Sequence, residues 1–369
     1  MSKNIKINAV ALLFSLLMVV YVLSSPLISG DAEWFRGMAK DCDYHYLSFA
    51  VSRYGSWSSR LLIESITAYF SVHYIQFIVM IFLISLLFMT SIIRLLELND
   101  QKYRQYRLVI LMIALLFFPI NSVFDGAGVI PTMTNYYVPM CLMAYVLLVI
   151  KQESKLYSYL LKLLSFILVV MQEQFALLAA IIFMVVIVDR LIQKLPTIRY
   201  LPFLLFSMLG ILSAKLSPGN AVRNAREIKE RFPDFENVSL IRKLDIGFIR
   251  MSYDLLFQGQ ITLFFILVLI SILIFAMLKR KFNQVVGLIT LLAIIILPYL
   301  NIWTPLSKMK NVYDTFPKDS YGNTLSITGR TIDSVYPDLM MILMIVTILL
   351  IIWTVLTTTR DRVIVLTLL

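Results

Sequence analysis

The sequence predicts an all-α protein, a polytopic bundle of about ten transmembrane helices. Hydrophobic residues make up 60% of the 369 residues and charged residues only 15%, and the mean hydropathy is +0.84. In water-soluble domains, by contrast, apolar residues are about half of the chain. The apolar residues are also grouped into segments close to the length of about 20 residues that a helix needs to cross a bilayer. These observations exclude an ordinary soluble fold and predict one integral membrane domain over residues 1–369.

Apolar segments of spanning length recur along the whole chain. The predicted spans are 6–27, 74–95, 108–124, 136–150, 157–171, 175–189, 200–217, 261–278, 284–300 and 338–357. The first span is followed by a charged, aromatic segment and not by a small-residue cleavage site. We therefore predict a retained helix rather than a secretory signal peptide.

The Lys and Arg residues of the connecting segments predict the orientation. With the N-terminus in the cytoplasm, the inner segments are short and hold the excess positive charge of the chain, which is +11 overall. Short loops rich in Lys and Arg stay on the cytoplasmic side of a membrane. This arrangement also accounts for the isoelectric point of about 9.5 without a nucleic-acid partner.

The outer segments contain most of the acids, both His residues, and aromatic residues interleaved with charges. Three of them are long: 28–73, 217–260 and 301–337. In the first, Asp31, Glu33, Asp41 and Asp43 precede Arg53, Trp57 and Arg60. A carboxylate can deprotonate a sugar hydroxyl, and Arg can hold a phosphate through two hydrogen bonds. A charged loop that is simply solvated explains the same pattern about equally well.

Two segments of the outer side are predicted to be helices that lie at the membrane surface. Residues 61–72 are too short and too polar to span, and apolar residues recur at helical spacing over 241–257. Two such helices beside a segment of carboxylates would enclose a cavity at the level of the membrane. A lipid-linked substrate needs an entrance of this kind.

Glu173 lies in the hinge 171–174 between two apolar runs of about 15 residues, each only about 22 Å long as a helix. A hairpin that short places Glu173 at or below the outer headgroups. Ionisable groups at this depth usually face a cavity or a partner. The alternative is an ordinary polar hairpin tip.

The sequence from Ser217 to Arg223 contains Pro218, Gly219 and Asn220, which predict the end of a helix and a turn. An ordinary helix stop explains this segment. The alternative is that its backbone amides and Arg223 contact a phosphate.

The order of these features, together with Asn135 and Tyr136 before the fourth span, resembles a group of bacterial polytopic proteins. These are the DUF6056-like and GtrII-like membrane glycosyltransferases, which are similar to the wider GT-C class. The resemblance covers about the first 230 residues. The C-terminal part carries no matching motif.

The resemblance implies a GT-C architecture in the bacterial plasma membrane, with an active site on the outer face. It also implies a polyprenyl-phosphate sugar as donor and a cell-envelope glycan as acceptor. Asp41 and Asp43 match the acidic motif of the general base, and Asp31 and Glu33 are the rival pair because they lie nearer the first span. The expected substrate-binding residues are Arg53, Trp57, Arg60, Asn135, Tyr136, Glu173, Asn220 and Arg223, with Arg53, Arg60 and Arg223 at the phosphate.

No cofactor is predicted. Asp41 and Asp43 have the oxygen ligands to share a divalent metal. A monophosphate donor needs a metal less than a diphosphate donor does, so the metal stays an open alternative.

Two rival functions remain. A polysaccharide repeat-unit polymerase would depend on outer arginines such as Arg242, Arg250 and Arg330 more than on a carboxylate. A flippase for lipid-linked sugars needs a polar path through the bilayer. Glu173 and Lys162 are the main charges within the predicted spans, and neither is near the inner exit.

Overall fold

The computed structural model describes residues 8–95, 127–151, 155–231, 235–241, 243–244 and 247. Within these ranges the chain is helical and contains no strand. The chain divides into two compact units. The first ends at Arg223 and the second begins at Asn224. The predicted spans 108–124, 261–278, 284–300 and 338–357, the outer segment 301–337 and most of 241–257 lie outside the described residues.

Ten helices organise the described part of the chain. They are α1 (Ala9–Leu23), α2 (Asp31–Asp41), α3 (Tyr46–Ser56), α4 (Leu61–Val72), α5 (Tyr74–Leu95), α6 (Val129–Lys151), α7 (Leu156–Val170), α8 (Glu173–Ile192), α9 (Leu201–Leu216) and α10 (Pro218–Arg231). In the first unit, α1 packs on α5, α5 on α6 and α6 on α7, while α7, α8 and α9 pack together. Helices α2 and α3 pack on α4.

Three helices, α5, α6 and α8, are long and apolar enough to cross a membrane. Helices α9 and α10 meet this test only together, and they are bent by 57° at the break between them. The predicted spans 6–27 and 157–171 are apolar helices of only 15 residues each, α1 and α7. The described residues therefore hold three or four candidate spans, and the predicted total of ten is not confirmed.

The segment 28–60, which was expected to be a loop, instead forms α2 and α3, and the helix predicted at 61–72 is confirmed as α4. Phe35, Ala39, Phe49 and Ala68 form a buried cluster between these three helices. Burial of apolar side chains in such a cluster is the main force that holds short helices together. The charged segment 28–72 is therefore a small packed bundle of three helices.

Helix α6 begins at Val129, so Asn135 and Tyr136 lie inside it and not before it as predicted. Residues Met133–Tyr137 form a π-helical turn, in which backbone hydrogen bonds span one residue more than in an α-helix. Thr134 Oγ1 donates to the Ile130 carbonyl at 2.9 Å, and Asn135 Nδ2 donates to the Pro131 carbonyl at 2.8 Å. These side chains donate hydrogen bonds to backbone carbonyl groups where the regular α-helical pattern of backbone hydrogen bonds is interrupted.

Helices α7, α8 and α9 share an aromatic core. The rings of Phe183 and Phe203 stack with centroids 4.9 Å apart, and Phe166 meets both rings edge on. At Gly210 the backbone of α9 comes so close to α7 that a Cβ atom would lie 2.5 Å from the Val170 carbonyl oxygen. This close approach requires glycine.

We expect Gly210→Ala to lower the free energy of unfolding by about 1–3 kcal/mol, because the added methyl group forces α9 away from α7. Gly37→Ala is the matched control, since nothing lies within 4 Å of a Cβ at that position in α2. There the change should raise stability by about 0.5–1 kcal/mol by restricting the unfolded chain. Thermal unfolding in detergent measures both, and equal shifts in the two variants would contradict the close contact.

Candidate functional site

The Glu173 carboxylate is the centre of a polar cluster built from three separate parts of the chain. Arg60 donates from Nε and Nη2 to Glu173 Oε2, each at 2.8 Å. Ser59 Oγ donates to Glu173 Oε1 at 3.0 Å. Asn220 Nδ2 donates to Ser59 Oγ at 3.0 Å and lies 3.5 Å from the same Glu173 oxygen. We call these three donor residues and Glu173 the carboxylate cluster.

The donors of the carboxylate cluster are anchored by further contacts. Arg60 Nη1 donates to Asn135 Oδ1 at 3.0 Å, so the π-turn of α6 orients the guanidinium. Asn220 accepts a hydrogen bond from the Ser59 amide at 3.2 Å and donates from Nδ2 to the Ala214 carbonyl at 3.0 Å. The turn between α3 and α4 is thereby joined to α6 and to the start of α10.

The local sequence explains why Glu173 begins α8. Gln172 caps this helix, because its Oε1 accepts hydrogen bonds from the amides of Gln174 and Phe175. An acid in the first turn is also favoured by the helix dipole. The predicted hinge at 171–174 is confirmed, since α7 ends at Val170 and α8 starts at Glu173.

The electrostatics of the cluster favour a permanently charged Arg60. Burial alone would lower the pKa of this guanidinium, but the charge of Glu173 outweighs that effect, and the pKa is raised above its ordinary value. The side chains are 13% exposed for Arg60 and 25% for Glu173. The ring of Tyr136, itself largely exposed, lies 5.9 Å from the Arg60 guanidinium. The ion pair is thus mostly desolvated but open at one edge.

A second cluster of side chains surrounds Arg53 on the bundle formed by α2, α3 and α4. Its guanidinium lies 4.8 Å from the ring centroid of Trp34 and 5.6 Å from that of Trp57. Arg53 Nε donates to Glu64 Oε2 at 3.1 Å, and Glu64 is buried. Because the cation is stacked and paired, its orientation is fixed while Trp34 stays 43% exposed. We call Arg53, Trp34, Trp57 and Glu64 the arginine platform.

Asp31 belongs to the surroundings of the arginine platform. Asp31 is exposed, but desolvation on one side of its carboxyl group raises the pKa of that group, and the positive charge of Arg53 opposes the rise. Asp31 is the first residue of α2, and its amide donates to the Ala127 carbonyl at 3.1 Å, which places it at the start of α6. Glu33, the other member of the rival pair, is exposed on α2.

The structure does not bring Asp41 and Asp43 into either cluster. Both are exposed, and neither makes a side-chain hydrogen bond or an ion pair with a described residue. Asp43 has a φ angle of 49° and Tyr44 one of 60°. The Tyr44 amide donates to the Ala39 carbonyl and the Asp43 amide to that of Lys40, the pattern of a Schellman motif that ends α2. Asp43 thus has a structural role, as the residue with positive φ after the end of α2, which the sequence pattern does not predict.

The remaining predicted residues are distributed around the first cluster. Trp57 and the Gly219 backbone are in close contact, because a Cβ on Gly219 would lie 2.4 Å from the Trp57 amide nitrogen. Arg223 is half-buried on α10, one turn beyond Asn220, and forms no ion pair with a described residue. Among the described residues no group of three or more His, Cys, Asp or Glu side chains is placed to hold a metal ion. The metal alternative at Asp41 and Asp43 stays untested.

Ser59, Glu64 and Trp34 were not predicted as site residues. Glu64 carried a signal, since it directly follows the apolar residues 61–63 in a predicted helix, and an acid is costly to bury unless it has a partner. Ser59 and Trp34 carried no comparable signal. Their contacts depend on how the helices pack.

Comparisons with known proteins give no relative for this chain. No protein-family model, no curated protein and no solved structure matches it. The resemblance to GT-C transferases therefore stays a prediction that comes from the sequence motifs.

We expect Asp43→Gly to raise the free energy of unfolding by about 0.5–1 kcal/mol, because glycine adopts positive φ without steric cost. Asp43→Val should lower it by about 1 kcal/mol or more, since a β-branched residue is strained there. Thermal unfolding of the two variants measures the difference. If both variants unfold at the same temperature as the wild type, the positive φ angle is not a source of strain.

We expect Arg60 and Glu173 to be strongly coupled. A double-mutant cycle with Arg60→Gln and Glu173→Gln should give a coupling of about 1.5–3 kcal/mol, as is typical of hydrogen bonds between charged groups away from water. The exposed pair Arg226 and Glu230, whose side chains are 61% and 54% exposed, is the reference cycle and should show little coupling. Equal coupling in the two cycles would show that the carboxylate cluster is solvated.

Proposed function

We propose that this protein is a GT-C-like membrane glycosyltransferase of the bacterial plasma membrane. It moves a sugar from a polyprenyl-phosphate donor to a cell-envelope glycan at the outer face, with its N-terminus in the cytoplasm. The observation that carries the proposal is the arginine platform with Asp31 beside it. A carboxylate, a fixed cation and two indole rings lie together on helices next to a helix of spanning length.

In this proposal Asp31 is the general base. It accepts the proton of an acceptor hydroxyl, the resulting oxygen forms a bond to the anomeric carbon, and the bond from that carbon to the phosphate oxygen breaks. The configuration is inverted because attack and departure occur on opposite faces of the sugar. The raised pKa of Asp31 suits a group that must accept a proton. Asp31 also lies within the field of the Arg53 charge, whereas Asp41 and Asp43 are in neither cluster, and for this reason we prefer Asp31.

The leaving group is a polyprenyl phosphate, which takes the electrons of the broken bond as negative charge. Arg53 and Arg60 supply fixed positive charge, and Arg223 adds a cation without an ion-pair partner among the described residues. Preorganised charges in a site with little water stabilise developing charge far better than solvent does. Trp34 and Trp57 provide flat apolar surfaces of the kind that sugar rings stack on.

The polymerase alternative depends on Arg242, Arg250 and Arg330, which lie outside the described residues or have no described side chain. It differs from the transferase in its product, because a polymerase lengthens lipid-linked oligosaccharides. The same assay separates the two.

We expect Asp31→Asn to lower the rate of sugar transfer by about 10²–10⁴-fold, the usual contribution of a general base. Protein reconstituted in lipid is given polyprenyl-phosphate sugars and a crude envelope glycan, and transfer is compared with that of Asp41→Asn and Asp43→Asn. Full activity of Asp31→Asn with loss in Asp41→Asn or Asp43→Asn would assign the base to the later pair. Lengthened lipid-linked oligosaccharides without donor consumption would establish the polymerase instead.

A further inference from the structure

The donors that bind the Glu173 carboxylate do not depend on Glu173 for their positions. Arg60 is oriented by Asn135, and Asn220 is held by the Ser59 amide and the Ala214 carbonyl. If the carboxylate moved away, two guanidinium N–H groups and the Ser59 hydroxyl would still face the same space, because Asn220 Nδ2 donates to Ser59 Oγ at 3.0 Å and holds that side chain in place. Such an arrangement is a preformed binding site for an oxyanion.

The Glu173 side chain, in contrast, can rotate away from Arg60 and Ser59 without disturbing helix α8. Gln172 supplies the hydrogen-bond cap of α8, so the start of that helix does not require the Glu173 side chain. The Glu173 side chain is already 25% exposed, so its carboxylate reaches water when it rotates outward, and water then replaces the protein donors.

We propose that the carboxylate cluster is a phosphate-binding site and that Glu173 is its built-in competitor. This inference rests on the proposed function and specifies where the polyprenyl phosphate monoester that leaves the donor is bound. The monoester has three terminal oxygens, whereas the phosphodiester of the donor has only two. Phosphate oxygens take the place of the carboxylate oxygens on Arg60, Ser59 and Asn220, and Glu173 turns to solvent. No covalent bond changes in this exchange.

Charge and geometry favour a phosphate over the resident carboxylate. A guanidinium binds phosphate through two parallel hydrogen bonds, and a phosphate offers three oxygens where a carboxylate offers two. Arg223 follows Asn220 by three residues on α10, so both lie on the same side of that helix. It adds a second positive charge near a ligand that carries more negative charge than Glu173. The open edge beside Tyr136 gives the ligand its entrance.

The proposal makes a prediction of unusual sign, because removal of an acidic side chain should strengthen binding. Inorganic phosphate and a short-chain polyprenyl phosphate are titrated into the purified full-length protein by calorimetry. We expect Glu173→Gln to bind phosphate about tenfold more tightly than the wild type and Arg60→Gln to lose binding. Asp41→Asn is the charge-matched control, which removes one acid from the same unit and should leave phosphate affinity unchanged.

The two ligands distinguish the source of the phosphate. An equal gain with both indicates that the phosphate group alone is recognised, and a gain only with the polyprenyl phosphate indicates that the lipid chain is also bound. The proposed replacement of Glu173 by phosphate is wrong if Glu173→Gln binds phosphate no more tightly than the wild type. It is also wrong if Asp41→Asn gains as much phosphate affinity as Glu173→Gln does.

A measurement on the wild type removes the dependence on variant folding. Carbodiimide labelling of Glu173, followed by mass spectrometry, should rise when inorganic phosphate is added, because the carboxylate is released from Arg60. Unchanged or lower labelling would overturn the exchange. If the protein transfers sugar but phosphate does not displace Glu173, the proposed function holds and the phosphate site is wrong. If phosphate displaces Glu173 but no sugar is transferred, the phosphate site holds and the transferase function is wrong.

Discussion

The mostly desolvated charge of Arg60, which needs an anionic partner and has one in Glu173, is the constraint on which the polar contacts of this part of the first unit depend. Two mostly desolvated charges must be paired, because an isolated one would be strongly destabilising. Their side chains lie 113 residues apart in sequence, and the pair fixes the turn before α4 to the start of α8. Asn135 orients the Arg60 guanidinium and Asn220 contacts Ser59, so the π-turn and the start of α10 are joined to the same turn. The polar ends of four segments therefore meet at one place.

Long apolar runs were predictable because their period and length leave few alternatives. Helix α5 has the bounds that the sequence predicts for the span 74–95, and Glu173 lies at the hinge where two apolar runs meet. Helix α1 is shorter than the predicted span 6–27, whereas α7 has the predicted length and begins one residue earlier than the predicted span 157–171. In α1 the side chain of Asn8 caps the start, and the end comes shortly before Pro26, a residue that cannot continue a helix. Capping residues thus decide lengths that hydropathy alone overestimates.

The site was only partly predictable, since its central contacts join distant segments. Arg60, Asn135, Glu173 and Asn220 were each expected at a substrate site, but no local pattern indicates that they share hydrogen bonds. For Asp43 the acid-x-acid pattern predicts a catalytic role, and the structure adds a second role that the pattern does not predict. Its φ angle of 49° places Asp43 in the turn that ends α2. Aspartate is common at both kinds of position, so residue type alone does not separate them.

The π-turn in α6 has a consequence for changes in chain length. A π-turn is equivalent to one extra residue inserted into an α-helix, and the wider turn absorbs that residue so that the helix on either side keeps its register. Loss of a single residue between Met133 and Tyr137 would therefore give a regular helix whose distant parts pack as before, but with the Asn135 amide no longer directed at Arg60. Shorter versions of this helix, if they occur among related chains, are expected to have a different partner for that arginine.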